Sequence, residues 1–264
     1  VTDLPPASTS VPARLGARFR HDGDVLGGAI EYVPTMSAHG AVPMASIVFL
    51  VDAVAGVTID DDPEVWAFTS DLTVHLTGPV RTSLDAACTV LRNGRRSAVC
   101  EIVLTADGEV RGIGNAAFAK VARRPDDPPK PPFDVAATIT RLRVPPIDEP
   151  VRAACGFESG PTPGTVSAEL RSDLLNPAGA LQGAIVGALA EAAAEDLADV
   201  EKWGGAARHS VVATEIRYLA QNRAGPITAT ATAAGPASSG LCRVELRDAE
   251  GRLTTVVLTR LEPA

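Results

Sequence analysis

Residues 178–200 read AGALQGAIVGALAEAAAEDLADV, and residues 39–58 read HGAVPMASIVFLVDAVAGVT. Both stretches space their apolar residues at helical intervals and are rich in small side chains, so the sequence predicts two long helices. With Gly40 set on Gly179, Ala45 falls on Ala184, Leu50 on Leu189, Ala53 on Ala192 and Asp52 on Glu191, a constant shift of 139 residues. An acidic residue thus recurs at one place in two otherwise apolar helices. At about 100° per residue, Glu191 stands roughly 80° from Leu181 and Asp52 equally far from Val42, each at the margin of an apolar stripe.

The correspondence continues downstream. The alternating segment 69–76 (TSDLTVHL) matches 211–219 (VVATEIRYL) at a shift of about 142, and the turn 106–108 matches 249–251 at 143, so a few extra residues lie between helix and strands in the second half. Further strand signals cover 82–91, 97–105 and 111–119 in the first half, with an Asn93-Gly94 turn, and 227–233, 241–247 and 253–261 in the second. Residues 123–150 hold RRPDDPPKPPF and VPPIDEP, too much proline for a helix or a sheet interior. The expected organisation is therefore a first domain over 1–122, a linker over 123–150 and a second domain over 151–264. A long apolar helix followed by an antiparallel meander implies an α+β unit in which a curved sheet wraps the helix. Two such sheets pairing edge to edge would also hide their edge strands.

Composition limits the functions available. With 45% hydrophobic and 21% charged residues the chain can fill real cores, and a net charge of −8 with a pI near 5.1 offers little to a phosphate backbone, so no nucleic-acid partner is expected. No apolar stretch has the length of a signal peptide or a membrane span, and the reading is a cytoplasmic protein. Cys88, Cys100, Cys155 and Cys242 form no C-x-x-C pair and are expected as buried thiols. His21, His39, His75 and His209 show no ligand spacing, so neither a metal nor a cofactor is expected. No G-x-G-x-x-G, P-loop or G-x-S-x-G pattern is present.

The lead-in to the second helix, Asn176-Pro-Ala-Gly179-Ala-Leu-Gln182-Gly183 followed by Glu191, resembles the signature of the hotdog-fold thioesterases of the PaaI and 4-hydroxybenzoyl-CoA group. Gln182 stands where that family usually has His, and Ala184 where it has a second Gly. The first half keeps Gly40 and Asp52 but has Ser37 for Asn, Pro43 for His and Met44 for the helix-entry Gly. The resemblance implies two tandem hotdog domains, an acyl-CoA or other acyl thioester as substrate, thioester hydrolysis, and a fused pair able to associate further into a homo-oligomer.

Chemistry assigns roles to the same residues. Asp52 or Glu191 could serve as general base or nucleophile in an apolar cleft; a solvated helix-surface carboxylate is the alternative, and recurrence at equivalent positions weighs toward function. The N–H of Gly183, at the positive end of its helix, suits a carbonyl oxygen gathering charge; close helix packing explains a glycine there as well. Asn176 before Pro177 reads as a helix N-cap or a ligand contact. Gln182 could orient a thioester or a water but cannot transfer a proton as histidine does. The family's shared sites imply one site joining Asn176, Gln182 and Gly183 with Asp52, and another joining Ser37 and Met44 with Glu191 and Glu195. Only the first has a full set of groups, which makes Asp52 the expected working carboxylate.

Three other readings stay open. A hydratase would use His39 with an acid; a non-catalytic protein would bind acyl-CoA; a TesB-type thioesterase would place catalysis on strand residues such as Asp71. Arg81, Arg95, Arg217 and Arg223 are candidates for the CoA phosphates. The small residues Ala184, Gly187, Ala188 and Ala192 leave room beside the second helix for an acyl chain, or permit tight packing on the sheet.

Overall fold

The apolar alternation resolves into strands that all pair antiparallel in a single twelve-stranded sheet. The computed structural model describes residues 9–22, 25–37, 39–60, 62–123, 136, 139–140 and 142–264. In chain order the elements are β1 (Ala17–Asp22), β2 (Val25–Ile30), α1 (Met44–Ile59), β3 (Val65–Leu76), β4 (Leu84–Asn93), β5 (Ser97–Ala106) and β6 (Glu109–Ala122). There follow α2 (Val151–Ala154), β7 (Glu158–Ser159), β8 (Thr165–Ala168), α3 (Gly183–Glu201), β9 (His209–Tyr218), β10 (Ile227–Ala233), β11 (Leu241–Arg247) and β12 (Leu253–Pro263).

The strand order, β1-β2-β4-β5-β6-β3-β9-β12-β11-β10-β8-β7, reads equivalently from either edge. Its centre is the pairing of β3 with β9, where Thr73 lies opposite Glu215, Asp71 opposite Arg217 and His75 opposite Ala213. Thr73 and Glu215 are themselves equivalent at the 142-residue shift, so a local twofold passes between them. The sheets of the two halves meet edge to edge there, which removes two strand edges from solvent.

Burial shapes both helices. From Met44 to Val51 every residue of α1 is buried, and Ile47, Leu50 and Val54 are fully so. Its β-branched residues are indifferent helix formers; enclosure by the sheet, worth about 1.5–3 kcal/mol for each fully buried large side chain, stabilises the helix. Alanine-rich α3 has the stronger intrinsic propensity. The sheet approaches α1 closely because strand glycines leave space: a Cβ on Gly28 would lie 2.6 Å from Leu50 Cδ1, and one on Gly114 would lie 2.8 Å from Val51 Cγ2.

Several boundaries differ from the sequence reading. The helices begin at Met44 and Gly183, five residues later than the periodicity indicates, because each is preceded by a loop that closes on its own polar side chain. Ser37 Oγ accepts from the N–H groups of His39 and Ala41, and Asn176 Oδ1 from those of Ala178 and Ala180. Asn176 is therefore not the helix cap, a role taken by Gln182. Strands β1, β2, β7 and β8 were not foreseen, since Gly27 and Gly28 break the alternation of β2 and β7 has two residues. Much of 123–150 lies outside the described residues. Its last part packs against the first half: Ile147 N–H donates to Arg14 O at 3.0 Å, while Arg14 and Arg18 donate to the carbonyls of Pro145, Pro146 and Val144. All four cysteines are free; Cys100, Cys155 and Cys242 are buried and Cys88 is half-buried.

Gly114→Val forces a branched side chain into the α1–sheet contact and is expected to lower unfolding free energy by about 1–3 kcal/mol, measured by urea denaturation.

Candidate active site

The helices α1 and α3 meet where Gly187 admits Val48, whose Cγ1 lies 3.5 Å from the place a glycine Cβ would occupy. Val48 and Gly187 each stand four residues after the first residue of their helix, and Asp52 and Glu191 each stand eight after it. Two antiparallel helices crossing at their fourth step bring the eighth residue of each to the start of the other. This happens on both sides, with opposite results.

On one side the contact is closed. Glu191 accepts the N–H of Met44 at 2.8 Å through Oε1 and that of Ala45 at 3.0 Å through Oε2, capping α1 in place of Pro43, which has no side-chain acceptor. Around it, His39 Nε2 lies 3.2 Å from Glu195 Oε2 and 3.8 Å from Asp199 Oδ2, and His209 Nδ1 lies 2.9 Å from Asp199 Oδ1. Burial, then the neighbouring Glu195, pushes the Glu191 carboxyl above the ordinary carboxylate range. The Glu195 hydrogen bond raises His39 despite its burial. The residual cavity beside this cluster is about 190 Å³.

On the other side the contact is open. Gln182 Oε1 accepts the Ala184 N–H at 2.6 Å, leaving the Gly183 N–H bonded to no described residue. Asp52 Oδ1 accepts from Thr69 Oγ1 at 2.6 Å, while Oδ2 lies 3.6 Å from the Cβ position of Gly183 and is bonded to no described residue. Tyr218 Oη donates to Gly183 O at 3.1 Å. Burial raises Asp52 above the usual carboxylate range, opposed by the Thr69 hydrogen bond. Burial, then Asp52, also holds the Tyr218 phenol well above its ordinary value, so it stays a donor.

These groups face a cavity of about 850 Å³, within the roughly 300–1,000 Å³ usual for small-molecule sites. Asp52, Asn176, Gln182 and Gly183 all line it; Glu191 does not. Apolar walls come from Phe49, Val57, Trp66, Phe68 and Leu181, and the ring centroids of Trp66 and Phe68 stack 5.9 Å apart. Leu142, from the segment between the halves, closes part of the wall.

Thr69 and Tyr218 were not foreseen. Thr69 precedes a bulge at Ser70, where the β3–β6 register steps from Thr69↔Phe118 to Asp71↔Ala117. The matching step in β9–β12, from Ala213↔Arg260 to Val211↔Leu261, falls at Val212, again 142 residues on. A bulge re-aims side chains, and an S-D pair in an alternating segment was the available signal. Asp71 instead pairs with Arg217 at 3.1 Å, and neither lines the cavity. Arg223 is exposed and lines it; Arg81 and Arg95 are exposed elsewhere. Among the described residues no cluster of His, Cys, Asp and Glu is arranged to hold a metal ion. No helix among them is long and apolar enough to cross a membrane.

A sheet wrapped round a helix, doubled about a twofold with a helix-start site at the junction, defines the class of α+β protein to which the chain belongs. It has the hotdog fold, as two tandem copies. Among similar solved structures, the 12:0-ACP thioesterase of Umbellularia californica superposes with a TM-score of 0.61 at 12% identity, covering 93% of this chain and 100% of that one. The TesB protein of Mycobacterium avium subsp. paratuberculosis gives 0.57 at 14%, over 96% and 98%. A hotdog-fold protein of Alicyclobacillus acidocaldarius gives 0.55 at 15%, over 100% of both chains. No protein-family profile and no curated protein sequence matches the chain.

Glu191→Ala leaves two buried amides of α1 without an acceptor and is expected to cost about 1–3 kcal/mol of stability in urea denaturation. Asp52→Asn, whose side chain caps no helix, is expected to cost less. Because Glu191 and His39 both bind protons more tightly folded than unfolded, stability falls as pH rises above the ordinary carboxylate range. Melting curves of Glu191→Ala across pH should show a shallower slope than wild type.

Proposed function

We propose that the chain hydrolyses acyl thioesters, those of CoA or of the same pantetheine arm on a carrier protein, at the open junction of Asp52 with Gly183. The observation that carries this reading is a carboxylate oxygen 3.6 Å from the Cβ position of Gly183, both residues lining one largely apolar cavity, with neither that oxygen nor the Gly183 N–H at the helix start bonded to any described residue. The two functional units are the tandem domains 1–122 and 151–264, joined through 123–150.

In this mechanism the thioester carbonyl oxygen accepts from the Gly183 N–H, where the helix dipole of α3 stabilises the negative charge that develops on attack. Asp52 Oδ2 takes a proton from a water as its oxygen bonds to the carbonyl carbon. Collapse breaks the C–S bond, and the proton passes from Asp52 to the departing thiolate, giving a carboxylic acid and a thiol. Thr69 fixes the carboxylate by occupying Oδ1, and Tyr218 fixes the Gly183 peptide through its carbonyl. Gln182 holds Ala184 and leaves the Gly183 donor to the substrate. The stacked Trp66 and Phe68 and the neighbouring aliphatic residues would receive the acyl chain. The structural neighbours named as thioesterases support the reaction class.

Release of free thiol from acyl-CoAs of increasing chain length tests the reading. Wild type is expected to turn over, Asp52→Asn to lose at least about 100-fold in kcat, and Glu191→Ala to retain turnover at a temperature where it remains folded. Ligand binding without turnover by wild type would favour an acyl-CoA binding protein instead.

The base must be ionised to act, so kcat/KM is expected to rise with pH through an apparent pKa above the roughly 3.9 of an ordinary aspartate. Thr69→Val removes a hydrogen bond to the charged form and should move that pKa higher still.

A further inference from the structure

No acidic residue occurs between Asp85 and Glu101, and the turn from β4 to β5 in that interval holds Arg92, Arg95 and Arg96. All three are exposed, and their side chains form no ion pair with any described residue. Arginines elsewhere on the sheet are neutralised: Arg18 by Glu31, Arg20 by Asp85, Arg217 by Asp71, and Arg260 by Glu262. In a chain of net charge −8, this turn is left with uncompensated positive charge. Beside it Val90 and Leu91 are 40% and 56% exposed. Strand β2 covers β4 only from Leu84 to Ala87, so on that side no described strand pairs with 88–93 and the tip projects past its neighbour. Lys120 Nζ donates to Asn93 Oδ1 at 2.6 Å and braces the turn.

The tip adjoins the aromatic wall of the open site. Arg96 O accepts the Lys120 N–H at 2.9 Å, and Ser97 lies opposite Ala119, whose other neighbour is Phe68. Ala119, Phe68, Trp66 and Val121 line the large cavity, and Val121, opposite Trp66, is 46% exposed. The twofold supplies a control. The equivalent turn between β10 and β11, residues 234–240, reads AGPASSG, with no charge and no large apolar side chain. It abuts β12, where the Leu261 N–H donates to Gly240 O and Leu261 lies opposite Val211, which lines the small cavity of the closed junction. The basic and apolar tip thus accompanies the open junction, and the neutral tip accompanies the closed one.

We propose that the β4–β5 tip docks the protein on an anionic lipid surface, with Arg92, Arg95 and Arg96 meeting lipid phosphates and Leu91 entering the headgroup layer. Its purpose rests on the proposed thioesterase reading. An acyl chain lying on Trp66 and Phe68 would leave the cavity beside the tip, where a bilayer accepts a released fatty acid that water excludes. An acidic carrier protein fits this surface less well, because that placement of the acyl chain leaves the thiol to the wall formed by 218–223.

Co-sedimentation with phosphatidylcholine vesicles, plain or containing about 30% phosphatidylglycerol, at about 0.1 M salt tests the proposal. Wild type is expected to bind the anionic vesicles, more weakly as salt rises, and to bind the neutral ones little. The double variant Arg95→Gln/Arg96→Gln is expected to bind the anionic vesicles about 10–30-fold more weakly. Leu91→Ser should weaken binding without changing its salt dependence. Both variants are expected to release thiol from a short-chain acyl-CoA as wild type does. Binding of wild type to neither vesicle would overturn the proposal and reduce the arginines to guards of a bare strand edge. Unchanged vesicle binding by the double variant would overturn it as well. A raised KM of the double variant for short-chain acyl-CoA or for acyl carrier protein, with vesicle binding intact, would assign the arginines to the CoA phosphates or to a carrier protein instead. Failure of wild type to release thiol from any thioester would remove the thioesterase reading, whereas vesicle binding judges the docking surface by itself.

Discussion

The crossing of α1 and α3 at Val48 and Gly187 is the contact on which the rest of the molecule depends. It sets the helices antiparallel, with the crossing residue four positions after the start of each. An acid eight residues into either helix then has one destination, the first turn of the other. The pairing of β3 with β9 holds the same axis from the sheet side, so helix and strand contacts reinforce a single geometry. A methyl group at 187 would meet Val48 and Ile216 at ordinary contact distance, whereas a longer side chain there would part the helices and withdraw both acids together.

One geometry gives two chemical outcomes because the helix starts differ. Met44 follows a proline that offers no side-chain acceptor, and Glu191 supplies the missing one to two amides. Gly183 follows Gln182, which satisfies Ala184 from its own chain and leaves Asp52 unengaged by the helix. A glutamate reaches one bond further than an aspartate, consistent with the longer side chain being the one that closes the gap. The difference between a strut and a poised carboxylate thus comes down to the residue before each helix and the length of the acid.

The two helices, the recurrence of the acid and the eight strands that follow the helices are legible in the sequence because they follow from periodicity. The association of Asp52 with Gly183 is readable only through the resemblance, since 131 residues separate them and no local pattern links them. Thr69 and Tyr218 were hidden for a different reason: a one-residue bulge decides which side chains turn toward the helix, and bulges leave little mark on alternation. The recognisable motif surrounds Glu191 in sequence while the open site contains Asp52, because a motif follows the chain and a shared site does not.

Joining both halves in one polypeptide has a consequence for how the molecule can change over generations. In a symmetric pair of identical subunits every substitution is inherited twice, so a residue that improves one junction is imposed on the other. Here Pro43 and Met44 could arise without altering Gln182 and Gly183, and the aspartate and glutamate could part ways. Covalent linkage also keeps the two unlike halves matched one to one, whatever the concentration. The chain is thereby free to leave one junction open to a cavity and to use the other as a fastening.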